Sequence, residues 1–435
     1  MRKGEIRVGL IGFGTVGTGT ARILLENREL IRRRAGFDVR LARIADIDTQ
    51  RDRGVRLPEG TLTNDARSLI NDPDIDVVVE LMGGMHPAKE FILEAISRKK
   101  HVVTANKALL AHEGNEIFGA ASGAGVQVGF EASVAGGIPI IKVLREGLVA
   151  NRVIAIHGII NGTSNYILTK MTEEKVEFSE ALKEAQGLGY AEADPTFDIE
   201  GIDSAHKLTI LTSLAYGIPL SYDGVYKEGI TKITAQDIDF ASELGYKVKL
   251  LAIAKGADGV IEARVHPTMV PSTYLISKVD GVFNAVYVEG DAVGSTLYYG
   301  RGAGDLPTGS AVVADIVDIG RGIIDGGVKS APVIPAGQGS FRLKSIDEIE
   351  SMYYFRFSAL DQPGVLSKIS GILGNRDISI ASVIQKGRRI GESVPLVVLT
   401  HRAREKDVLQ AVREIDELPI VSDRSLFIRV EGEKA

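Results

Sequence analysis

The chain has 435 residues, 44% of them hydrophobic and 25% charged, with a net charge of −6 at pH 7 and no cysteine. These values fit an ordinary globular protein of two or three domains, each large enough to bury a core. They exclude disulfides, thiolate metal centres and any mechanism through a cysteine thioester, and they offer no basic surface for nucleic acid.

No apolar run approaches the roughly 20 residues needed to cross a bilayer, so no membrane association is expected. The opening Met-Arg-Lys leads straight into a strand pattern without a signal-type apolar region, which makes a cytoplasmic location the expectation.

Ile6 to Ile11 is a short apolar run, followed by Gly12, Phe13, Gly14, Thr15, Val16 and Gly17 and a helical stretch to about Arg33. Strand, G-x-G-x-x-G and helix form the arrangement in which a pyrophosphate meets free N–H groups at a helix N-terminus. It predicts an α/β, doubly wound Rossmann sheet that binds NAD or NADP. A second strand, Val39 to Ala45, ends in Asp46, placed to accept hydrogen bonds from an adenosine ribose. Arg51 and Arg53 follow and are placed to receive a 2′-phosphate, so both cofactors stay open.

Asp76 to Met82 reads as a buried parallel strand, with Gly83-Gly84 and a helix from Pro87 to Arg98 after it. Val102-Val103-Thr104-Ala105-Asn106-Lys107 then sets Lys107 just past a strand's C-terminal end, the edge where such sheets hold ligands. A solvated loop lysine is the plain alternative. Val126 to Phe130 is a further strand. The turn from Glu131 to Pro139 has backbone carbonyls that can converge on a cation. The dinucleotide domain is expected over 1–130, completed by about 301–325. A second glycine-rich turn, Gly300 to Pro307, leads into that completing helix.

Residues 131–300 read as a second, α+β domain, with strand-like runs at Val153–Ile159, Lys249–Ala254, Ile261–His266 and Val282–Val288. Asn161 to Asn165 has N-cap chemistry, either plain capping or amides that hold a carboxylate. Tyr190 to Leu211 carries five carboxylates (Glu192, Asp194, Asp198, Glu200, Asp203) ahead of Lys207. On a helix, Asp203, Lys207, Ile210 and Leu214 share one stripe, expected to be buried, with His206, Thr209, Thr212 and Ser213 towards the other side. The pair is either an ordinary i,i+4 ion pair or a lysine desolvated beside carboxylates and suited to proton transfer.

Gly326 to Gly339 is rich in Gly and Pro, and 326–350 is expected to be a linker. From 351 to 435 the order is strand Tyr353–Ala359, turn Asp361 to Leu366, helix to Leu373, and strands Ile378–Gln385 and Ser393–Thr400. Helix Glu405–Ile415 and strand Ser425–Val430 complete a βαββαβ, ferredoxin-like unit.

Together these pieces resemble the homoserine dehydrogenases over essentially the whole chain, in the three-domain form that ends in an ACT regulatory domain. The motifs concerned are Gly12 to Gly17, Thr104 to Lys107, Glu131 to Pro139, Asn161 to Asn165, Asp198 to Lys207 and Asp361 to Leu366. The resemblance implies NAD(P)-dependent, reversible reduction of L-aspartate 4-semialdehyde to L-homoserine, a step towards threonine, methionine and isoleucine. It implies catalytic roles for Lys207, Lys107 and Asp203, and substrate contacts from Thr163, Tyr190, Glu192, Asp198 and both lysines. Cofactor contacts are implied for Gly12, Phe13, Gly14, Thr15, Val16, Gly17, Asp46, Thr104, Lys107, Gly302 and Gly304. A monovalent cation, sodium, is implied at Glu131, Val134, Gly136 and Ile138. Threonine is implied as effector at Asp361, Gln362, Pro363, Gly364 and Val365, in a homodimer or homotetramer.

One departure stands out. Many relatives place an arginine immediately before the acidic residue of the second strand, where this chain has Ala45. The phosphorylating semialdehyde dehydrogenases work on the same aldehyde but need the cysteine this chain lacks. A non-catalytic sensor of dinucleotide and amino acid is the alternative from another class, and it leaves Lys107 and Lys207 without a role.

Overall fold

The computed structural model describes residues 4–326, 341–386 and 392–432, which divide into two compact units. Most of the expected linker, 327–340, lies outside the described residues. Within its remainder Arg342–Leu343 is a short strand and Ile346–Glu348 a single tight turn.

The first unit comprises Met1–Ala155, His206–Asp223 and Phe283–Phe341. Its sheet is parallel throughout, in the order Leu62–Thr63, Asp38–Ala45, Glu5–Ile11, Val77–Glu80, His101–Thr104, Val128–Gly129. Val8, Leu10, Val77, Val79 and Val103 are completely buried, as strands covered on both faces must be. The helix Asp305–Ile324 lies against the first helix, Thr15–Glu26. A Cβ on Gly19 would sit 2.2 Å from the Asp305 carbonyl oxygen, and one on Gly309 would sit 2.8 Å from the Thr20 nitrogen. Glycine at both positions lets the two backbones touch. The unit also holds an antiparallel hairpin, Phe283–Gly290 with Gly294–Arg301; its second strand was not foreseen from sequence.

The second unit comprises Ile156–Ala205, Gly224–Val282 and Arg342–Ala435. Its longest strands, Tyr246–Ala257 and Val260–Pro271, pair antiparallel around Asp258-Gly259, both in the left-handed conformation that a two-residue hairpin turn demands. The C-terminal sheet runs in the order Leu426–Val430, Glu350–Leu360, Ser393–Thr400, Ile380–Gln385. Helices Val365–Gly374 and Glu405–Asp416 help close its core over Tyr353, Phe355 and Phe357.

This C-terminal sheet does not end at its own edge. Strand Leu426–Val430 pairs in parallel with the long strand at Thr268–Met269, joining the two sheets into one. Buried charges reinforce the seam. Arg429 donates to Glu405, to Glu228 and to the Tyr226 hydroxyl, and Arg264 donates to Glu431 and to His266. On the same sheet Arg356 and the Tyr354 hydroxyl donate to Asp237, in the first turn of helix Ala235–Glu243.

Candidate active site

The glycine-rich turn is shaped by its neighbours. Gly12 has φ of +96°, and a Cβ there would lie 2.6 Å from the Leu81 carbonyl carbon. A Cβ on Gly17 would lie 2.1 Å from the Gly12 oxygen, so these two glycines serve the turn itself. A Cβ on Gly14 would meet nothing within 4 Å. Gly14 therefore keeps a space that the protein leaves open, in front of the helix that begins at Thr15, as the close approach of a pyrophosphate requires.

Around it is a cleft of about 980 Å³ lined by Gly12, Phe13, Gly14, Thr15, Asp46 and Arg53 among others. Asp46 accepts the Phe13 amide at 2.6 Å and the Asp48 amide at 2.8 Å. Arg53 closes the arrangement: Nη2 donates to Asp46 at 3.1 Å, Nε to the Phe13 carbonyl at 2.6 Å, and the guanidinium lies 5.0 Å from the Phe13 ring centre. Val16 is half-buried behind the turn, and Thr15 is exposed.

At the end of strand His101–Thr104, Thr104 is fully buried. Its hydroxyl donates to Glu80 at 2.7 Å and accepts the Asn106 amide at 3.0 Å. Asn106 caps the helix Lys107–Ala124 by accepting the Leu109 amide, which makes Lys107 the first helical residue. Neither Glu80 nor Asn106 was assigned a role from sequence. The signal for Glu80 was a carboxylate closing an all-valine strand.

The carboxylate-rich stretch folds around Asn161. Its Nδ2 donates to Asp198 at 2.7 Å and to Asp203 at 2.9 Å, while its Oδ1 accepts the Ser164 amide and caps the helix Gly162–Glu174. One amide side chain thus bridges two carboxylates. The Thr163 hydroxyl donates to the Tyr190 carbonyl at 2.6 Å, and Gln186 donates to the carbonyls of Glu192 and Ala193, which holds the exposed loop carrying Tyr190 and Glu192.

The helix Ile202–Tyr216 carries Asp203 and Lys207 four residues apart, with 6% and 9% of their surface exposed. The expected division into a buried and a more polar side does not describe it. His206, Thr209, Thr212 and Ser213 are buried like Leu208 and Leu211, so the helix is enclosed all round from Asp203 to Leu214.

In the turn after Phe130, Ala135 and Gly136 are both left-handed, with φ of 54° and 48°. Glu131 is buried; its backbone N–H donates to Asp315, and its carboxylate accepts the Ile141 and Lys142 amides. Burial pushes its carboxyl above the ordinary range against those two bonds. Asp315 is pushed up to about 7, by burial first, with the Glu131 amide opposing and the Glu131 charge adding. Val134 and Ile138 are buried in the same turn. Gly302 packs between this turn and Asn284: a Cβ on Gly136 would lie 2.5 Å from the Gly302 oxygen, and one on Gly302 2.1 Å from the Asn284 side chain. Asn284 Oδ1 is buried there without a hydrogen-bond partner. Gly304, with φ of +129°, precedes the helix beginning at Asp305.

In the C-terminal sheet a cavity of about 300 Å³ is lined by Asp361, Gln362, Pro363, Gly364, Val365 and Gln385 among others. Gly364 is left-handed and stands at the N-terminus of helix Val365–Gly374.

No helix among the described residues is long and apolar enough to cross a membrane. The family profile of homoserine dehydrogenase matches residues 139–317, that of the homoserine dehydrogenase NAD-binding domain residues 12–131, and that of the ACT domain residues 353–419. Homoserine dehydrogenases of Neisseria gonorrhoeae and Pseudomonas aeruginosa are each 49% identical, over 98% of this chain and 99% of theirs. The crystal structure of a homoserine dehydrogenase from Thiobacillus denitrificans superposes with a TM-score of 0.94 at 50% identity, covering 99% of both chains. A hyperthermophilic archaeal homoserine dehydrogenase in complex with NADPH matches 73% of this chain and 98% of its own, with a TM-score of 0.62 and 27% identity. The chain belongs to the homoserine dehydrogenase family, oxidoreductases that act on a CH–OH group with a nicotinamide dinucleotide, and carries a C-terminal ACT domain.

Proposed function

We propose that the chain interconverts L-aspartate 4-semialdehyde and L-homoserine, as a step towards threonine, methionine and isoleucine, with Lys207 and Lys107 at the reacting oxygen. The observation that carries this reading is Lys207 buried within the enclosed part of its helix, one turn after Asp203, with Asn161 linking Asp203 to Asp198. Gly12 to Gly17 would hold the pyrophosphate of a nicotinamide dinucleotide, which would supply or accept the hydride. A lysine ammonium stabilises the developing alkoxide and delivers its proton. Asp203 orients Lys207. Asp198 and Glu192 bind the substrate ammonium, with Thr163 and Tyr190 bounding that end. The test is reduction of NAD or NADP followed at 340 nm with homoserine as substrate; a folded, dinucleotide-binding protein that shows no turnover is a sensor and not an enzyme.

On the cofactor, our reading is that NAD serves at least as well as NADP. A carboxylate at Asp46 suits a free ribose hydroxyl and repels a 2′-phosphate, and Ala45 offers no compensating charge. Arg53 offsets part of that repulsion, and the archaeal relative's structure with NADPH supports acceptance of NADP as well. A sodium ion at Glu131, Val134, Gly136 and Ile138 is favoured by the left-handed Ala135–Gly136 turn, whose backbone carbonyls can converge, and by the unsatisfied Asn284 oxygen bordering it. Activity compared in sodium, potassium and large organic cations tests it.

Threonine fits the C-terminal cavity by its chemistry. The left-handed Gly364 presents helix N-terminal amides to a ligand carboxylate, and Asp361 and Gln362 supply polar partners for the rest. Inhibition by threonine that Gly364→Val abolishes supports this assignment; activity indifferent to threonine removes it. Paired copies, in a dimer or tetramer, are part of the same reading and are measured by light scattering.

A further inference from the structure

Glu80 is 1% exposed, at the end of the strand Val77-Val78-Val79-Glu80. In register it stands between Ile11, the last residue before the glycine turn, and Thr104, the last residue of the next strand. Burying a carboxylate there costs several kcal/mol unless its oxygens are fully engaged, and three donors engage them. Oε1 accepts the Met82 amide at 2.8 Å and the Gly83 amide at 3.3 Å, and Oε2 accepts the Thr104 hydroxyl at 2.7 Å. The bonds then close a ring. Thr104 accepts the Asn106 amide, and Asn106 Nδ2 donates to the Gly84 carbonyl at 2.6 Å, back in the loop that Glu80 holds from below.

This ring joins two segments that both face ligand space. Gly83 and Gly84 are left-handed, a Cβ on either would meet nothing within 4 Å, and Leu81 and Met82 line the dinucleotide cleft. On the other side Asn106 sets where the helix starts, and Lys107 is its first residue.

We propose that Glu80 is a positioning residue for the reaction, its carboxylate fixing the Met82–Gly84 loop against the Thr104–Asn106 segment and so fixing Lys107. This rests on the reading of Lys107 given above. The partners also explain why the residue is an acid and not an amide. All three are donors, and a glutamine would present an NH₂ group to Thr104, whose oxygen already accepts Asn106. The threonine proton would then lose its acceptor, and the ring would open at that link.

The experiment uses the full chain with Glu80→Gln, Thr104→Val, the double variant and Lys107→Ala. Thr104→Val breaks the same link without touching the buried charge, and it carries the test should Glu80→Gln fail to fold. The readouts are kcat/KM for homoserine, the dissociation constant of NADH from its fluorescence, and the thermal midpoint. Displacing a reacting group by about an ångström costs up to roughly 100-fold, so each single variant is expected to lose about 10- to 100-fold in kcat/KM. In Glu80→Gln cofactor binding is expected to stay within about threefold, the double variant to be no worse than the poorer single, and Glu80→Gln to cost nothing further beside Lys107→Ala. Folded single variants within about twofold of wild type, alongside an impaired Lys107→Ala, would overturn this proposal alone. An undiminished loss in the Lys107→Ala background would overturn it too, by showing general structural damage. Near-normal turnover by Lys107→Ala would remove both this proposal and the reading it rests on.

Discussion

Replacing Arg53 with methionine should sharpen the preference for NAD. Methionine keeps an apolar stem over the Phe13 ring and deletes the charge that now balances Asp46, a pair whose side chains are only 8% and 13% exposed. Asp46 keeps its two amide donors, Phe13 and Asp48, so the turn retains most of its support. For NADP two changes add. The 2′-phosphate loses a guanidinium that still has one free N–H on each terminal nitrogen, and it meets a carboxylate no longer neutralised. A hydrogen bond to a charged group is worth about 1.5–3 kcal/mol, and a screened like-charge contact at the mouth of a cleft adds about 1 kcal/mol at most. A total near 2–3 kcal/mol corresponds to roughly 30- to 150-fold at 1.4 kcal/mol per tenfold. The assay is kcat/KM for each cofactor in homoserine oxidation. NADP should lose that factor while NAD changes less than about fivefold. An unchanged ratio would refute the charge argument. An equal loss with both cofactors would show that Arg53 acts by holding the Phe13 carbonyl, and not by charge.

Lys107→Ala and Lys207→Ala should each lower kcat by about 10²–10⁴ with cofactor binding nearly intact, as loss of a general acid does; near-wild-type turnover in both would sink the mechanism. Arg429→Met strips the buried Glu405 carboxylate of its bidentate partner and should cost about 3–5 kcal/mol in urea unfolding, much of it recovered in Arg429→Met/Glu405→Leu. A single-variant cost below about 1 kcal/mol would contradict a seam held by charge. His266 is kept neutral by burial and then by the charges of Arg429 and Arg264, so its folded pKa lies well below the ordinary 6.5. The unfolded chain therefore takes up a proton that the folded chain refuses, and stability present above about pH 6.5 falls by up to roughly 1.4 kcal/mol per unit below it. His266→Gln should flatten that limb between pH 7.5 and 5.5; parallel curves for variant and wild type would assign the acid sensitivity to other groups.

The glycine turn, every strand of the dinucleotide sheet except the two-residue edge strand Leu62–Thr63, and the βαββαβ order of the last segment were legible because each is written locally, in runs and turn residues. What was not legible depends on partners far along the chain. Asn161 reads as a cap, and its bridge to Asp198 and Asp203 spans 37 and 42 residues. Asp46 reads as a ribose ligand, while its pairing with Arg53 depends on how the intervening loop folds back. The helix bearing Lys207 suggested one buried stripe, because a 3.6-residue pattern cannot tell a polar face in solvent from one enclosed by protein. Gly294–Arg301 escaped notice because glycines at both ends of a short strand look like turns.

The seam at Leu426–Val430 bears on how regulation can be studied. A Gly/Pro-rich stretch ahead of a ferredoxin-like unit invites cutting near Gly339 to obtain an enzyme freed from its regulator. That cut would also remove a strand from the edge of the Val260–Pro271 strand, and leave Arg264, Glu228 and Asp237 facing a gap with their counter-charges gone. A truncated protein that is sluggish or insoluble would then be reporting an unroofed sheet, whatever the effector does. Single substitutions lining the small cavity, with the last strand left in place, test an effector role without unroofing that sheet.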